Sequence, residues 1–101
     1  MKRTVFLIPL EDNDGRPFDA KLFRQTQKEL LQKYGGFQVD RVEGQWLGDD
    51  GNIYRDKSLR YIICMEEDQV GELKEWLKEI RDRFRQMALW LEVSEVETNL
   101  I

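Results

Sequence analysis

The sequence predicts an α+β domain in which a central β-hairpin is flanked on each side by a helix and then a strand. Residues 35–65 contain two strand-like runs joined by a connection rich in Gly, Asp and Asn. The Asp50-Gly51 pair is a strong hairpin signal, because Gly51 tolerates the positive φ of a tight turn. A segment with helical spacing lies on each side, and an apolar run lies at each end. The order β-α-β-β-α-β is the ferredoxin-like arrangement, a four-stranded antiparallel sheet with two helices on one face.

The composition fits one small domain. At 101 residues, the chain is long enough to bury a single core, so we expect residues 1–101 to form one ferredoxin-like domain. No apolar run is long enough to cross a bilayer, so we expect a soluble, cytoplasmic protein with no membrane partner. The net charge of −4 argues against nucleic acid as a partner. Nothing in the sequence calls for a cofactor.

The absence of histidine is the most restrictive feature of the composition. It removes the usual general base near neutral pH and the commonest transition-metal ligand, so Ser-His and Cys-His triads cannot form. The single cysteine, Cys64, lies inside an apolar run and is expected to be a buried, inert thiol. Asp49, Asp50 and Asp56 lack the spacing and the closing Glu of a calcium loop. We therefore predict no metal site.

The first part of the chain predicts a strand and a helix. Residues 4–10 are apolar at consecutive positions, which indicates a strand covered on both faces, and residues 11–17 form a polar connection. Asp19 is placed to cap a helix over residues 19–34, because its carboxylate can accept from the free amides of the first turn. Gly35 then ends the helix in the left-handed conformation.

The remaining elements follow from alternation and helical spacing. The second strand begins at Phe37, and its pattern slips near Arg41, which suggests a bulge. The third strand covers residues 59–65 and is apolar on both faces. Asp68 is a candidate cap for a second helix, whose apolar stripe has the strongest three-to-four spacing in the sequence. That stripe consists of Leu73, Trp76, Leu77, Ile80, Phe84 and Met87. The last strand covers residues 88–93, and a short extension over 95–101 could form a further strand or reach a neighbouring subunit.

Apolar residues on both faces of the central strands predict self-association. In this fold the helices cover one face of the sheet and leave the other bare. With one parity of the strands, the bare face carries Phe6, Ile8, Ile62, Cys64 and Trp90, and the opposite parity leaves an equally apolar set. Soluble monomers rarely expose such a patch. We therefore expect a homo-oligomer, a dimer or a trimer, with Phe6, Ile8, Ile62 and Trp90 at its interface.

The connection over residues 44–58 is the first candidate for a functional surface. Its aromatic, guanidinium and ammonium groups could bind a small molecule or a partner protein, since loops displayed on a rigid scaffold often carry function. The candidate binding residues are Gln45, Trp46, Tyr54, Arg55 and Lys57. The competing interpretation is an ordinary solvated hairpin without a function.

Two other functions remain open from the residues alone. An oligomeric enzyme could use scattered Tyr and Arg side chains on an organic substrate held in a cleft between the helices and the sheet. Alternatively, residues 5–10 resemble the first-strand motif of RRM domains, and Tyr61 lies where the third-strand motif would place an aromatic that stacks on single-stranded RNA. The glycines and most aromatics of that third-strand motif are missing. Neither alternative assigns catalytic residues.

Three short motifs carry a family resemblance. Gly35-Gly36-Phe37, Gly44-Gln45-Trp46 and Tyr54-Arg55-Asp56 are similar to a family of small bacterial proteins of uncharacterised function, and more distantly the chain resembles PII-like (GlnB-like) signalling proteins. The PII-like resemblance implies a ferredoxin-like trimer, with a partner-contacting connection after the second strand and effector clefts between subunits. Residues 44–58 match that connection by position. The glycine-rich nucleotide-binding pattern is absent, so the resemblance does not extend to ATP binding. Together these features favour a regulatory or accessory binding module.

Overall fold

The computed structural model describes residues 1–101 and contains the predicted order of elements. These are β1 (Lys2–Pro9), α1 (Ala20–Tyr34), β2 (Gln38–Leu47), β3 (Ile53–Met65), α2 (Glu67–Arg83) and β4 (Leu91–Glu95). The strands form one antiparallel sheet in the order β2-β3-β1-β4. The ferredoxin-like fold predicted from the sequence is therefore confirmed. Neither helix combines the length and the apolar character needed to cross a membrane.

The two helices begin at different kinds of cap. The carboxylate of Asp19 accepts a hydrogen bond of 2.9 Å from the Lys21 amide at the start of α1, and Gly35 ends that helix with a φ of 78°. Both features were predicted. The prediction that Asp68 caps α2 was wrong, because Glu66 and Gln69 form a reciprocal capping box in which each side chain accepts from the other residue's backbone amide.

The core lies between the two helices and one face of the sheet. Phe6 of β1 stacks on Tyr61 of β3 with ring centroids 5.3 Å apart, and it meets Trp76 of α2 edge-on. The buried apolar residues of this core are Phe6, Ile8, Leu30, Tyr61, Ile63, Met65, Val70, Leu73, Trp76, Leu77, Ile80 and Phe84. Met87, predicted as part of the α2 stripe, lies beyond the helix and is exposed.

The placement of Phe6 and Ile8 on an uncovered sheet face was wrong. Both side chains are completely buried under the helices. Because side chains alternate along a strand, the opposite face of β1 carries Val5 and Leu7 instead. The pairing of Phe6 with Tyr61 fixes this parity, since the core side of β3 carries Tyr61, Ile63 and Met65.

The uncovered sheet face is mixed in character. Val5 is buried and Ile62 half-buried among their neighbours, but Arg60 forms a bidentate ion pair with Asp40, at 3.0 and 2.7 Å. Cys64 was predicted to be buried, yet it is exposed on this face. The apolar character predicted for the whole face is therefore limited to its middle.

The central hairpin is longer and more regular than predicted. β2 pairs with β3 residue for residue from Gln38 opposite Ile62 to Leu47 opposite Ile53, without the bulge expected near Arg41. Most of the connection over residues 44–58 is thus strand, and only residues 48–52 form the turn. This extension of the hairpin positions the candidate site.

Candidate functional site

A two-stranded ribbon projects beyond the sheet. β1 pairs with β3 only as far as Pro9 opposite Ser58, whereas β2 accompanies β3 to its first residue. Residues 43–57, here called the ribbon, therefore have no third strand beside them, and the molecule is elongated to 46 Å along its longest axis. Two-stranded ribbons are marginally stable in water. This ribbon needs side-chain contacts of its own.

The ribbon turn is closed by one carboxylate and two glycines. The amide of Gly48 donates to the Asn52 carbonyl at 2.9 Å, and Gly51 takes a φ of 81°. Asp50 accepts from the Asn52 amide at 2.9 Å and from the hydroxyl of Tyr54. The hydrogen bond from Tyr54 lowers the pKa of Asp50 and raises the pKa of the Tyr54 phenol. The turn therefore fixes the outer end of the Tyr54 side chain.

An ordered aromatic pair lies on one face of the ribbon. Trp46 and Tyr54 are directly opposite each other and stack with centroids 4.7 Å apart and planes 20° from parallel. The indole Nε1 of Trp46 donates to Oδ2 of Asp56 at 2.9 Å. The pair is held at both ends although Trp46 is 52% exposed and Tyr54 40% exposed. A rigid, exposed aromatic surface of this kind is typical of binding sites.

The largest cavity of the molecule is a groove beside the ribbon, with a volume of about 560 Å³. One wall is the ribbon, and the other walls are the end of β1, the connection after it and the segment before β4. The lining includes Leu7, Pro9, Glu11, Asp12, Asn13, Gly15, Trp46, Tyr54, Arg55, Asp56, Lys57, Ser58, Gln86, Ala88, Leu89 and Trp90. Apolar and polar side chains thus meet at one place, as in small-molecule sites.

Free charges of both signs face the groove. Arg55 and Lys57 form no salt bridge, and neither does Glu11. Their charges are available to a ligand or a partner. No three His, Cys, Asp or Glu side chains come close enough together to hold a metal ion.

The second wall of the groove is a connection held by Asp12. Its Oδ1 accepts from the amides of Asp14 and Arg16 at 2.9 Å each, and these bonds, that of Arg16 first, lower the pKa of Asp12. The connection is fixed to the core through Phe18, which meets Phe84 edge-on at 5.1 Å. The guanidinium of Arg85 lies 6.0 Å from the centre of the Phe18 ring. The connection after β1, which forms this wall of the groove, is therefore held in place by Asp12 and by the contact of Phe18 with the core.

The structure brings together most of the residues singled out in the ribbon. Trp46, Tyr54, Arg55 and Lys57 all line the groove, whereas Gln45, opposite Arg55, does not. Of the predicted interface residues, Trp90 is 63% exposed and lines the same groove. Sequence reasoning missed Glu11, Asp12, Asn13 and Gln86. The one available signal for the first three was their position directly after β1, at the end that meets the hairpin.

No described protein family matches the sequence, and no curated protein matches it. Solved structures, in contrast, share its fold over nearly the whole chain. CutA from Pyrococcus horikoshii superposes with a TM-score of 0.68 at 19% identity, covering 99% of this chain and 88% of its own. The periplasmic divalent cation tolerance protein CutA from Archaeoglobus fulgidus gives 0.67 at 12% identity, covering 99% and 88%.

A third similar structure is a phage SAM lyase in complex with S-methyl-5'-thioadenosine. Its TM-score is 0.64 at 19% identity, covering 93% of this chain and 80% of the lyase. At these identities the similarities establish the fold alone. The class of protein is therefore a small ferredoxin-like domain, whose fold is similar to that of CutA and of the phage lyase.

Proposed function

We propose that this chain is a cytoplasmic, bacterial, self-associating binding module with a regulatory or accessory role, and that its groove receives a small molecule or a segment of a partner protein. The observation that carries the proposal is the Trp46-Tyr54 pair. It is stacked, tethered at both ends and exposed beside the largest cavity. The contacts between these side chains help to hold the ribbon together, and because the pair also stays exposed and fixed, a ligand that binds to it has little side-chain freedom to remove.

The charges around the pair indicate the kind of ligand. A planar ring could stack on the free face of Trp46, while Arg55 and Lys57 attract anionic or carbonyl oxygen atoms and Glu11 accepts from donors. A ligand with a flat ring and several polar groups meets all of these requirements. S-methyl-5'-thioadenosine, the ligand in the similar phage lyase, is a suitable first probe.

The binding test uses the double variant Trp46→Ala/Arg55→Ala. We expect it to fold and assemble like the wild type but to lose binding of S-methyl-5'-thioadenosine by at least about tenfold in isothermal titration calorimetry, since two direct contacts are removed. The matched control is Lys28→Ala/Leu31→Ala, which removes an exposed cation and an exposed apolar side chain from α1. Equal affinity in both variants would contradict the proposed site. Unfolding of the ribbon variant would support a purely structural role for Trp46.

Self-association is supported by apolar residues that the single chain leaves uncovered. Leu47 and Ile53 on the ribbon are 72% and 67% exposed, and Leu100 and Ile101 are completely exposed. Burying apolar surface stabilises an assembly by about 25 cal/mol per Å². Sedimentation velocity at micromolar concentration should show a species larger than 12.1 kDa. A clean monomer would contradict this part of the proposal.

The second candidate function is an enzyme acting on an organic substrate. The similarity to a SAM lyase with a bound nucleoside favours it, and the groove, rather than a cleft between the helices and the sheet, is where such a substrate would fit. The test incubates the protein with S-adenosylmethionine and follows its consumption by liquid chromatography. Turnover that Trp46→Ala abolishes would favour the enzyme, and binding without turnover would favour the module.

The RNA-binding alternative loses its basis. It required the ring of Tyr61 to be exposed for stacking on a base, but Tyr61 is completely buried in the core. Its hydroxyl accepts a hydrogen bond of 2.9 Å from the Gln27 side chain. The expectation that this aromatic serves RNA was therefore wrong, and the residue is structural.

A further inference from the structure

The solvent-facing side of α1 carries a row of cations that ends in an apolar residue. Spacings of three and four residues bring side chains to the same face of a helix, so Lys21, Arg24 and Lys28 lie in line and Leu31 continues the line. All four side chains are exposed, Leu31 to 52%. The three cations extend over about 10 Å of the helix axis. These four residues are here called the α1 row.

No carboxylate of the protein neutralises the α1 row. Its three cations form no salt bridge. Glu29 is the only acidic residue of α1, and it is bound to Arg83 of α2. On the exposed face of α2, in contrast, Lys78 lies 2.9 Å from a carboxylate oxygen of Glu75. The charges of the α1 row are therefore available to a partner.

The α1 row disfavours the helix that carries it. Lys21 lies in the first turn, where the partial positive charge of the helix N-terminus repels a cation, and this turn contains no acidic residue. Like charges three and four positions apart repel each other as well. The first turn of α2 shows the opposite arrangement, with Glu67 and Asp68. A bound anionic group would relieve both repulsions in α1, so the row suits binding better than it suits folding.

The charge of the rest of the protein limits the kind of anion. α1 contains four basic side chains and one acidic side chain, which give it +3 in a chain of net charge −4, so the remaining residues together carry −7. A long polyanion, such as nucleic acid or an anionic membrane, would be repelled on both sides of the row. A short carboxylate-bearing segment would contact the row alone. Leu31 also offers an apolar contact that suits a peptide better than a phosphate backbone.

We propose that the α1 row binds an acidic helical segment of a partner protein. A helix laid antiparallel along α1 repeats its spacing of three and four residues, so carboxylates at that spacing meet the three cations while an apolar side chain covers Leu31. Gln25 and Gln32 are exposed beside the row and can donate to or accept from polar groups of the segment. No residue of α1 lines the groove. The surface is therefore separate from the groove, and the inference goes beyond the proposed function.

The probe for this surface is an alanine-based peptide in which one Leu is followed by Glu three, seven and ten positions later. This pattern is the antiparallel complement of the α1 row. The matched probe has Gln in place of each Glu. Fluorescence anisotropy at low ionic strength should show that the wild type binds the Glu peptide at least about tenfold more tightly than the Gln peptide. Equal affinity for the two peptides would overturn the proposal.

The triple variant Lys21→Gln/Arg24→Gln/Lys28→Gln removes the charges of the row and keeps side chains that favour a helix. We expect it to bind the Glu peptide at least about tenfold more weakly than the wild type. Because the repulsion within α1 is removed, it should also unfold at a higher urea concentration than the wild type at low ionic strength. Unchanged peptide binding, or a variant less stable than the wild type, would overturn the proposal, since the cations would then serve the fold.

The matched control is Lys74→Gln/Lys78→Gln/Arg81→Gln, which changes the net charge by the same amount on α2. It should bind the Glu peptide as the wild type does, and an equal loss in both triple variants would overturn the site, because net charge alone would explain the binding. A single-stranded thymidine oligonucleotide and phosphatidylserine vesicles test the other anionic partners. Tighter binding of the wild type to either of them than to the Glu peptide would overturn the proposed partner.

Discussion

The indole nitrogen of Trp46 lies 2.9 Å from a carboxylate oxygen of Asp56, two positions along the neighbouring strand from Tyr54, on which the same indole stacks. One exposed side chain is thus fixed in two directions, by a ring face and by a hydrogen bond. Such fixation reduces the side-chain entropy that a ligand would otherwise have to remove on binding. The two contacts of Trp46 thus connect the local structure of the ribbon with the ligand binding proposed for the groove.

Asp56→Ala should release the indole without unfolding the protein. The carboxylate lies at the surface, so we expect the free energy of unfolding to change by no more than about 0.5 kcal/mol. The near-ultraviolet circular dichroism of the Trp46-Tyr54 pair should weaken, because the two rings no longer hold a fixed angle. Asp56→Asn keeps an acceptor oxygen and should preserve most of the signal. An unchanged spectrum for Asp56→Ala would show that the hydrogen bond does not orient Trp46.

Gly48→Ala tests the close approach of the turn to the same pair. A Cβ at position 48 would lie 2.5 Å from Cε2 of Tyr54 and 2.8 Å from Oδ1 of Asp50. These distances are too short for non-bonded atoms, so the Tyr54 ring has to leave its place on Trp46. We expect loss of the aromatic circular dichroism and weaker binding of any groove ligand. Gly44→Ala is the control, since a Cβ there meets open space, and equal effects at the two positions would contradict this account.

Parts of this structure follow from local chemistry and could therefore be predicted. The cap at Asp19, the left-handed Gly35 and the apolar stripe of α2 each depend on residues within a few positions of one another. The start of α2 was missed because Glu66 takes a place in the capping box where Ser or Thr is usual. The ribbon was predicted as a loop because its sequence is polar and contains glycine. In the structure it consists of two strands, which pair with each other without interruption.

Other parts depend on contacts that a single sequence does not encode locally. Residues 5–10 are apolar at every position, so they contain no alternation from which the buried face could be recognised. The pairing of β1 with β3 and β4 decides which face of β1 is buried. This pairing places Phe6 and Ile8 in the core. The groove likewise joins Glu11, Asp56 and Gln86, and only the folded topology brings these distant positions together.

The ion pair between Glu29 and Arg83 should make stability depend on pH. Arg83 binds both carboxylate oxygens, at 2.5 and 3.0 Å, and both side chains are largely buried between α1 and α2. The hydrogen bonds from Arg83 lower the pKa of Glu29, ahead of a smaller contribution from Trp76. A lowered folded-state pKa stabilises the protein above the unfolded-state pKa, and this contribution is lost as the pH falls through the folded value.

Glu29→Gln should therefore lower the free energy of unfolding by about 1–3 kcal/mol at pH 7. The difference from the wild type should shrink progressively below about pH 4.5, as measured by urea denaturation at a series of pH values. Glu75→Gln is the control, because its ion pair with Lys78 is exposed and should contribute less than about 0.5 kcal/mol. A pH-independent difference would mean that packing, and not charge, explains the effect of Glu29.

Arg85 adopts a backbone conformation that ordinarily favours glycine. Its φ is 52°, the only positive value at a non-glycine residue in the chain. Left-handed backbone costs an L-residue roughly 1 kcal/mol relative to glycine. The side chain offsets part of that cost, because its guanidinium lies over the Phe18 ring and its charge helps to lower the pKa of Asp12 in the groove wall. Arg85 thus joins the end of α2 to the connection that lines the groove.

Comparing Arg85→Gly with Arg85→Ala separates these two effects. Both variants lose the guanidinium, but only glycine relieves the backbone, so Arg85→Gly should be more stable by about 1 kcal/mol in urea denaturation. In both variants the amides of Asp14 and Arg16 should exchange with deuterium faster, since the groove wall has lost one of its attachments. Equal stability of the two variants would show that residue 85 leaves the left-handed region when the arginine is removed. Unchanged exchange would instead show that Asp12 and Phe18 hold the wall without Arg85.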